Sequence, residues 1–153
     1  MNELQIHNNS LPSMNEEAIN KVRILESVSS QLPQIEIKTS HILHGGMYAR
    51  TILIPAGTLL TGALIKIATM LIIQGDIVVY IGEDTLNLVG YHIVPAGANR
   101  KQAFYARLDT WLTMIFSTDA KTIEIAEDEF TNEANLLISR KDPSSNQIVI
   151  TGE

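Results

Sequence analysis

The stretch that decides the fold runs from Ile54-Pro55-Ala56-Gly57 to Val94-Pro95-Ala96-Gly97, two near-identical tetrapeptides that enclose an apolar segment. Each Pro-x-Gly unit predicts a turn, because proline presets φ and glycine accepts positive φ values. Gln74-Gly75-Asp76 lies at the centre of the segment and predicts a hairpin between two strands. The order of strand, turn, hairpin and turn predicts an all-β unit.

Composition indicates one soluble, mildly acidic domain. The chain has 153 residues, 45% of them hydrophobic and 18% charged, with a net charge of −6. This length suggests a single domain, and the negative charge argues against a large surface for polymeric nucleic acid. The absence of cysteine excludes disulfides and thiolate chemistry.

No targeting or membrane segment is predicted. The first residues are mostly polar and lack the basic region of a secretory signal, so we expect a cytoplasmic protein without a membrane partner. The polar ones are Asn2, Glu3, Gln5, His7, Asn8 and Asn9. The longest apolar stretch, residues 53–73, contains too many turn formers for a transmembrane helix. Its interruptions are Pro55, Gly57, Gly62 and Lys66.

An amphipathic helix is predicted near the start of the chain. Ser13-x-x-Glu16 has the pattern of a capping box, in which the two side chains satisfy free backbone amides. Residues 29–33 form a linker, because the residue before Pro33 resists helical φ and ψ values. Residues 1–33 are therefore predicted as a leader and helix, whose apolar stripe consists of Ile19, Val22, Leu25 and Val28.

From residue 35 the apolar period changes from 3.6 to 2, which predicts a β region over residues 34–118. Short strands separated by regular turn residues favour a sandwich or a closed barrel, and closure removes exposed strand edges. The predicted strands, after an alternating segment that begins at residue 35, are 48–54, 70–73, 76–81, 85–89, 91–94, 101–107 and 110–116.

A second amphipathic helix is predicted over residues 119–141, where the helical period returns. Its acidic run, Glu127-Asp128-Glu129, is interpreted as a solvated face. Residues 142–153 are predicted as a tail, with a short strand at 147–151. The apolar stripe of the helix consists of Ile123, Ala126, Phe130, Ala134 and Leu137.

Residues 40–118 carry a family resemblance. Gly46-x-Tyr48-x-Arg50 precedes the first Pro-Ala-Gly unit, Gly75-Asp76 lies between the units, and Arg100 and Asp109-Thr110 follow the second. This order and spacing of turns resembles the cupins, and in particular small cupin-like proteins of bacteriophages and prophages. The resemblance covers about half of the chain. It implies a mainly β fold, a cupin-like jelly-roll barrel flanked by N-terminal and C-terminal amphipathic helices.

The same resemblance implies that the usual cupin metal ligands are missing. It places the glutamate at Ala68, the first histidine pair within residues 61–64, and the last histidine at Arg100. Phage-type members that look metal-binding carry histidines near positions that are Ile65 and Thr69 here. A site of three histidines and one carboxylate needs all four ligands on one cation. We therefore predict no cupin metal and no cofactor.

Four residues are candidates for binding a small anionic ligand. Arg100, if it points as the replaced histidine would, brings five donors to the barrel mouth; alternatively it pairs at the rim or faces solvent. Tyr48 and Arg50 share one strand face and form either a pocket wall or a subunit interface. Lys66 either lines the pocket or marks the solvent face. Strand alternation also predicts that Arg100 and Lys101 point to opposite faces.

The histidines give a weaker signal. His41 and His44 have an H-x-x-H spacing that looks metal-like, yet three residues along a strand point to opposite faces. They are better interpreted as polar residues at the barrel edge, which could converge only across Gly45-Gly46. His92 is interpreted as a structural hydrogen-bonding residue, and Trp111 as a core or interface residue.

Three functions remain open from the sequence. The first is a non-enzymatic binder of a small anionic molecule, which in a phage protein suggests sequestration of a host signalling nucleotide or metabolite. The second is a structural or assembly protein that uses the barrel as a scaffold, and a homo-oligomer is expected in both cases. The third is a cupin-type metalloenzyme that uses His41, His44 or His92. No nucleophile elbow, Walker loop or dinucleotide motif is present, so enzymatic activity is disfavoured.

Overall fold

The computed structural model describes residues 9–152. Residues 1–8 of the predicted leader, including His7, lie outside the described residues. The division into four segments stays a prediction. In chain order the elements are α1 (Glu16–Ser29), β1 (Thr39–His44), β2 (Met47–Ile54), β3 (Leu59–Thr61), β4 (Thr69–Tyr80), β5 (Thr85–Ala96), β6 (Ala103–Ala106), β7 (Thr110–Ser117), α2 (Ile123–Phe130), α3 (Ile138–Lys141) and β8 (Asn146–Ile150).

Two long antiparallel strands, β4 and β5, hold the β structure together. They pair along their full lengths, from Thr69 opposite Ala96 to Tyr80 opposite Thr85. On its other side, β4 pairs first with β7 and then with β6. The path β3-β6-β4-β7-β2-β1-β8 continues this arrangement on both sides. The predicted mainly β, jelly-roll type of fold is confirmed by this pairing.

Gly75 is not a hairpin turn, contrary to the prediction. It lies opposite Gly90 inside the β4–β5 pair, and the hairpin closes instead near Gly82, where the Ile81 N–H donates to the Asp84 carbonyl at 3.0 Å. A glycine is required because β4 passes close to the β6–β7 turn. A Cβ at Gly75 would lie 2.3 Å from the Thr110 Oγ1 and 2.7 Å from the Asp109 carbonyl oxygen.

The core lies between the strands and α2, and it is filled by side chains of alternate strand residues. Tyr48 packs edge-on against Phe116 and stacks on Phe130, with ring centroids 5.4 and 6.4 Å apart. These contacts attach α2 to β2 and β7. The aliphatic part of the core includes Leu43, Ile54, Leu71, Ile73, Ile77, Val79, Leu88 and Val94.

The predicted helix at the start of the chain is confirmed, but its predicted cap is wrong. Asn15 caps α1, and its side chain accepts a bond from the Ala18 N–H at 2.8 Å. The Ser13 hydroxyl instead donates to the Ala98 carbonyl, so the polypeptide before α1 is tied to the loop after β5. The strand expected from residue 35 begins only at Thr39.

The second helix is interrupted, which the sequence pattern did not predict. Thr131 has an extended conformation (φ −150°, ψ 145°), so α2 ends at Phe130. A short 3₁₀ turn over Ala134–Leu136 and the brief α3 then bring the chain back toward α2. The predicted short strand near the end is confirmed as β8, which pairs in parallel with β1.

Within residues 9–152, no helix has the length and apolar character needed to cross a membrane.

The Gly75 contact predicts a destabilised variant. Gly75→Ala should lower the free energy of unfolding by about 3 kcal/mol, because the new Cβ overlaps backbone atoms of the β6–β7 turn. Urea unfolding measures this loss. Gly62→Ala is the matched control, since a Cβ there meets its nearest atom at an ordinary 3.7 Å. Equal stability of the two variants would contradict the packing described here.

Candidate functional site

The four predicted ligand-binding residues lie in three separate places. Arg100 is buried beside the first residues of β4, whereas Tyr48 and Arg50 face α2 and α3. Lys66 is exposed, and its Nζ donates to the Asn132 Oδ1 at 2.6 Å. The structure therefore brings Tyr48 and Arg50 together but not the full set.

Arg100 is the most unusual charged group of the described residues. Its side chain is 1% exposed, so the alternatives of a rim or solvent position are wrong. Nη1 donates to the carbonyls of Gly97 (2.5 Å) and Ile67 (3.3 Å), and Nη2 donates to the Thr69 Oγ1 at 2.7 Å. Nε is buried and has no partner among the described residues. Burial lowers the Arg100 pKa to about 10, which leaves it charged at neutral pH.

Positions 65, 69 and 100 converge in space. Ile65 and Arg100 exchange two backbone hydrogen bonds of 2.8 and 3.1 Å, and Thr69 contacts the Arg100 guanidinium. An aliphatic side chain, a hydroxyl and a permanent cation do not fit a divalent metal. Across residues 9–152, no group of three or more His, Cys, Asp or Glu side chains is placed to hold a metal ion.

An open depression of about 610 Å³ lies at the same end of the sheet. Its walls are the first residues of β4, including Thr69, the last residues of β7, Pro95 of β5 and Glu129 of α2. The Glu129 carboxylate accepts a bond from the Thr118 hydroxyl at 2.5 Å. Because Thr69 both lines the depression and contacts Arg100, it links the two. We refer to this depression as the Thr69 depression.

Glu127 organises a second polar site, although the sequence pattern predicted a solvated face. Its carboxylate is 2% exposed and binds Arg50 and Arg140, each at 2.9 Å. The Ser139 hydroxyl donates to the same carboxylate at 2.5 Å. Burial alone would raise the Glu127 pKa, but hydrogen bonds from Ser139 and Arg140 and the charge of Arg50 outweigh it and lower the pKa. The interpretation of Glu127 as a solvated residue was wrong because the sequence pattern does not show that α3 packs against α2.

Tyr48 and Arg50 belong to this second site rather than to the Thr69 depression. The Arg50 Nη1 donates to the Tyr48 hydroxyl at 3.3 Å, and that hydroxyl lies 2.7 Å from the His41 Nδ1. The His41 Nε2 lies 2.9 Å from the Asn146 Oδ1 at the start of β8. The site therefore connects β1 and β2 to the last segment of the chain.

The histidines fit only part of the sequence interpretation, because His41 is fully buried on a strand that pairs on both sides and is not a polar residue at the barrel edge. His41 is fully buried and His44 is exposed, so the prediction of opposite faces is confirmed. Burial lowers the His41 pKa. The His92 Nε2 lies 2.8 Å from the Val89 carbonyl, as expected for a structural hydrogen bond. Trp111 is 51% exposed and therefore does not belong to the core.

Lys101 is a buried cation that strand alternation misplaced. Residues 97–102 precede β6, so Arg100 and Lys101 are both buried instead of facing opposite ways. The Lys101 Nζ contacts Glu26 at 3.1 Å and Glu133 at 3.9 Å. It also donates to the Gly62 carbonyl at 2.7 Å. This side chain joins α1 to the segments around β3 and α2.

Comparison with known proteins returns cupins among solved structures. A cupin superfamily protein from Desulfitobacterium hafniense superposes with a TM-score of 0.46 and 13% identity, over 60% of this chain and 88% of that one. A cupin-2 domain protein from Shewanella frigidimarina gives 0.45 and 8%, over 65% and 98%. Ectoine synthase from P. lautus gives 0.48 and 18%, over 65% and 76%. No protein-family model and no curated protein matches the sequence.

These TM-scores lie below 0.5, and the identities are low, so the class of fold rests on the strand pairing of the chain itself. β4 pairs with β5 along its full length, and on its other side it pairs first with β7 and then with β6. This arrangement gives the chain a mainly β, cupin-like fold. Its activity has to be argued from its own side chains.

Removal of the Glu127 charge tests the second polar site. Glu127→Gln should lower the free energy of unfolding by about 3 kcal/mol, because it leaves Arg50 without a buried counter-charge. Chemical unfolding measures the change. Glu124→Gln, at an exposed position on the same helix, should stay within about 0.5 kcal/mol of the original protein. A similar small effect of Glu127→Gln would show that the site contributes little.

The buried His41 predicts a pH dependence of stability. Its pKa is lowered in the folded state, so the unfolded chain binds the proton more readily below the ordinary value of 6.5. Stability should therefore be complete well above pH 6.5 and decrease as the pH falls through 6.5 toward the lowered pKa of the folded state. His41→Gln should remove this slope, which urea unfolding at several pH values measures. An unchanged slope in the variant would mean that another group titrates.

Proposed function

We propose that this chain is a non-enzymatic cupin-like binding protein that takes a small anionic ligand in the Thr69 depression. The observation that supports the proposal is the buried guanidinium of Arg100, which has no carboxylate partner among residues 9–152 and whose Nε has no partner there. A buried charge without a counter-charge is costly. An anion bound nearby would offset that cost.

Thr69 is the group through which such an anion would contact the protein. Its Oγ1 accepts a bond from Arg100, so its own hydrogen is available to donate into the depression. A hydroxyl polarised by a cation is a stronger donor than an isolated one. The expected contacts are therefore Thr69 directly and Arg100 behind it.

This proposal changes the set of contact residues expected from the sequence. Arg50 and Tyr48 use their polar atoms within the Glu127 site, and Lys66 contacts Asn132 on the surface. Their expected role as ligand contacts has no support from the Thr69 depression. Arg100 remains a proposed ligand-binding residue, and Thr69 is added as the residue that contacts the ligand directly.

The more specific form of the proposal is sequestration of a host signalling nucleotide or metabolite by a phage protein in the bacterial cytoplasm. Its support is the resemblance of residues 40–118 to phage cupin-like proteins, together with a depression of about 610 Å³, which is large enough for a small molecule. Nucleotides therefore belong among the ligands to be tested.

We also propose that the protein forms a homo-oligomer through the outer face of β5, β4 and β7. Adjacent residues on this face are large, apolar and about half exposed. A second copy would cover the same patch by twofold symmetry, the commonest arrangement of soluble oligomers. The face includes Met70, Tyr91, Ile93 and Trp111.

Native mass spectrometry of protein freshly purified from bacteria tests both proposals. We expect an oligomer that retains a metal-free mass of a few hundred daltons per chain. Arg100→Lys keeps the charge but not the fork of donors, and Thr69→Val removes only the hydroxyl. Each should weaken ligand retention about tenfold or more, the loss expected for a charge-assisted hydrogen bond.

Arg107→Gln is the control, because Arg107 is a half-exposed arginine paired with Asp76 at another part of the sheet. It should retain the ligand as the original protein does. Retention by Thr69→Val and Arg100→Lys together would remove this site from consideration. A stoichiometric metal would contradict the metal-free part of the proposal.

A further inference from the structure

We infer that the ligand of the Thr69 depression is a zwitterion: a small molecule of the amino-acid type, whose carboxylate is held by the Thr69 hydroxyl in front of Arg100 and whose ammonium group is held at Glu129. This inference rests on the proposed function and narrows its ligand from any small anion to a molecule whose anionic group is accompanied by an ammonium group. It comes from a comparison of how the chain pairs its buried charges.

The cations that are not exposed follow one rule, with one exception. Within the described residues, Arg50 and Arg140 bind Glu127, and Lys101 binds Glu26 and Glu133. Arg100, the remaining member of this group, contacts only carbonyls and a hydroxyl. Among residues 9–152, each of these cations therefore has a carboxylate partner except Arg100, which lies beside the Thr69 depression.

The glutamates that are not exposed also contact an oppositely charged side chain, with one exception. That exception lies at the same depression. Glu26, Glu127 and Glu133 each contact a cationic side chain. Glu129 is half-buried in the wall of the Thr69 depression, and its only hydrogen bond in the described part of the chain comes from the Thr118 hydroxyl. Within the described residues, Glu129 thus lies in the wall of the Thr69 depression without a cationic partner, and Arg100 lies behind Thr69 without a carboxylate partner.

A zwitterion satisfies both groups, whereas a simple anion does not. An anion near Thr69 would be attracted by Arg100 and repelled by Glu129. A simple cation near Glu129 would be repelled by Arg100. The remaining wall is largely apolar, contributed by residues such as Ile67, Pro95 and Phe116, so charge interactions are screened less there than in bulk water.

The experiment is isothermal titration calorimetry of the full chain, after unfolding and refolding to remove any retained molecule. The probes are the common α-amino acids, β-alanine and γ-aminobutyrate, which differ in the separation of their charges. Each probe that binds is compared with its N-acetyl derivative, which keeps only the carboxylate, and with its amide, which keeps only the ammonium group.

Two variants separate the two ends of the ligand, and a third serves as the control. Glu129→Gln should weaken binding of the free amino acid about tenfold or more and should not weaken binding of the N-acetyl derivative. Thr69→Val should weaken both of these compounds. Glu124→Gln, an exposed position on the same helix, should leave all affinities unchanged.

The outcomes distinguish this inference from the proposed function. Binding of N-acetyl derivatives or nucleotides as tightly as free amino acids, with Glu129→Gln equal to or tighter than the original protein, would overturn the zwitterion and keep an anion site. Loss of binding only in Glu129→Gln, with Thr69→Val unaffected, would place the ligand away from Arg100 and overturn both. No binding of any probe by a correctly refolded protein would overturn the zwitterion, while a molecule retained in native mass spectrometry would still support the binding function.

Discussion

The pairing of β4 with β5 through Gly75 opposite Gly90 is the constraint on which the rest of the structure depends. The two strands are continuous through these residues, and β4 changes its second partner from β7 to β6 there. The β6–β7 turn crosses so close to Gly75 that any side chain would overlap it. The same pair positions the start of β4 and the end of β5, which form two walls of the Thr69 depression.

The buried charged groups of the described residues are of two kinds, those with an oppositely charged partner and those without one. Glu127 with Arg50 and Arg140 fixes α2 and α3 on β2, and Lys101 fixes α1 through Glu26. Removal of one partner from a buried pair of this kind destabilises a protein. These pairs therefore hold the terminal segments in place. Arg100 is different, because its partners are uncharged. The contrast between paired and unpaired charges is the basis for the proposed binding function at one end of the sheet.

The sequence predicted the class of fold because its turn residues and apolar alternation are local signals. The turns at residues 55–57 and 82–84, the strand at 110–116 and the final short strand all follow from such signals. Gly75 was misinterpreted because a glycine in a turn and a glycine at a close strand crossing look the same in a sequence. The difference depends on the distant Thr110.

The candidate site could be predicted only in part, for a similar reason. The position of Arg100 in the second motif predicted a guanidinium at the barrel mouth but not its burial, and the resemblance marked position 69 as one where metal-binding relatives carry a histidine. Burial of Glu127 and the role of Glu129 depend on where α2 ends and α3 returns, which Thr131 sets by its extended conformation. The apolar stripe of a helix predicts which face packs on the core. It does not predict which residues from other elements contact the polar face.

A crystal structure of the protein as purified from bacteria tests the central claim most directly, namely that Arg100 is held as a buried cation for a ligand. We predict density for a small molecule in the Thr69 depression, within hydrogen-bonding distance of the Thr69 hydroxyl and near the Glu129 carboxylate. A carboxylate of the protein or of a partner subunit on the Arg100 Nε, or an ordered water there beside a depression containing only solvent, would contradict the account.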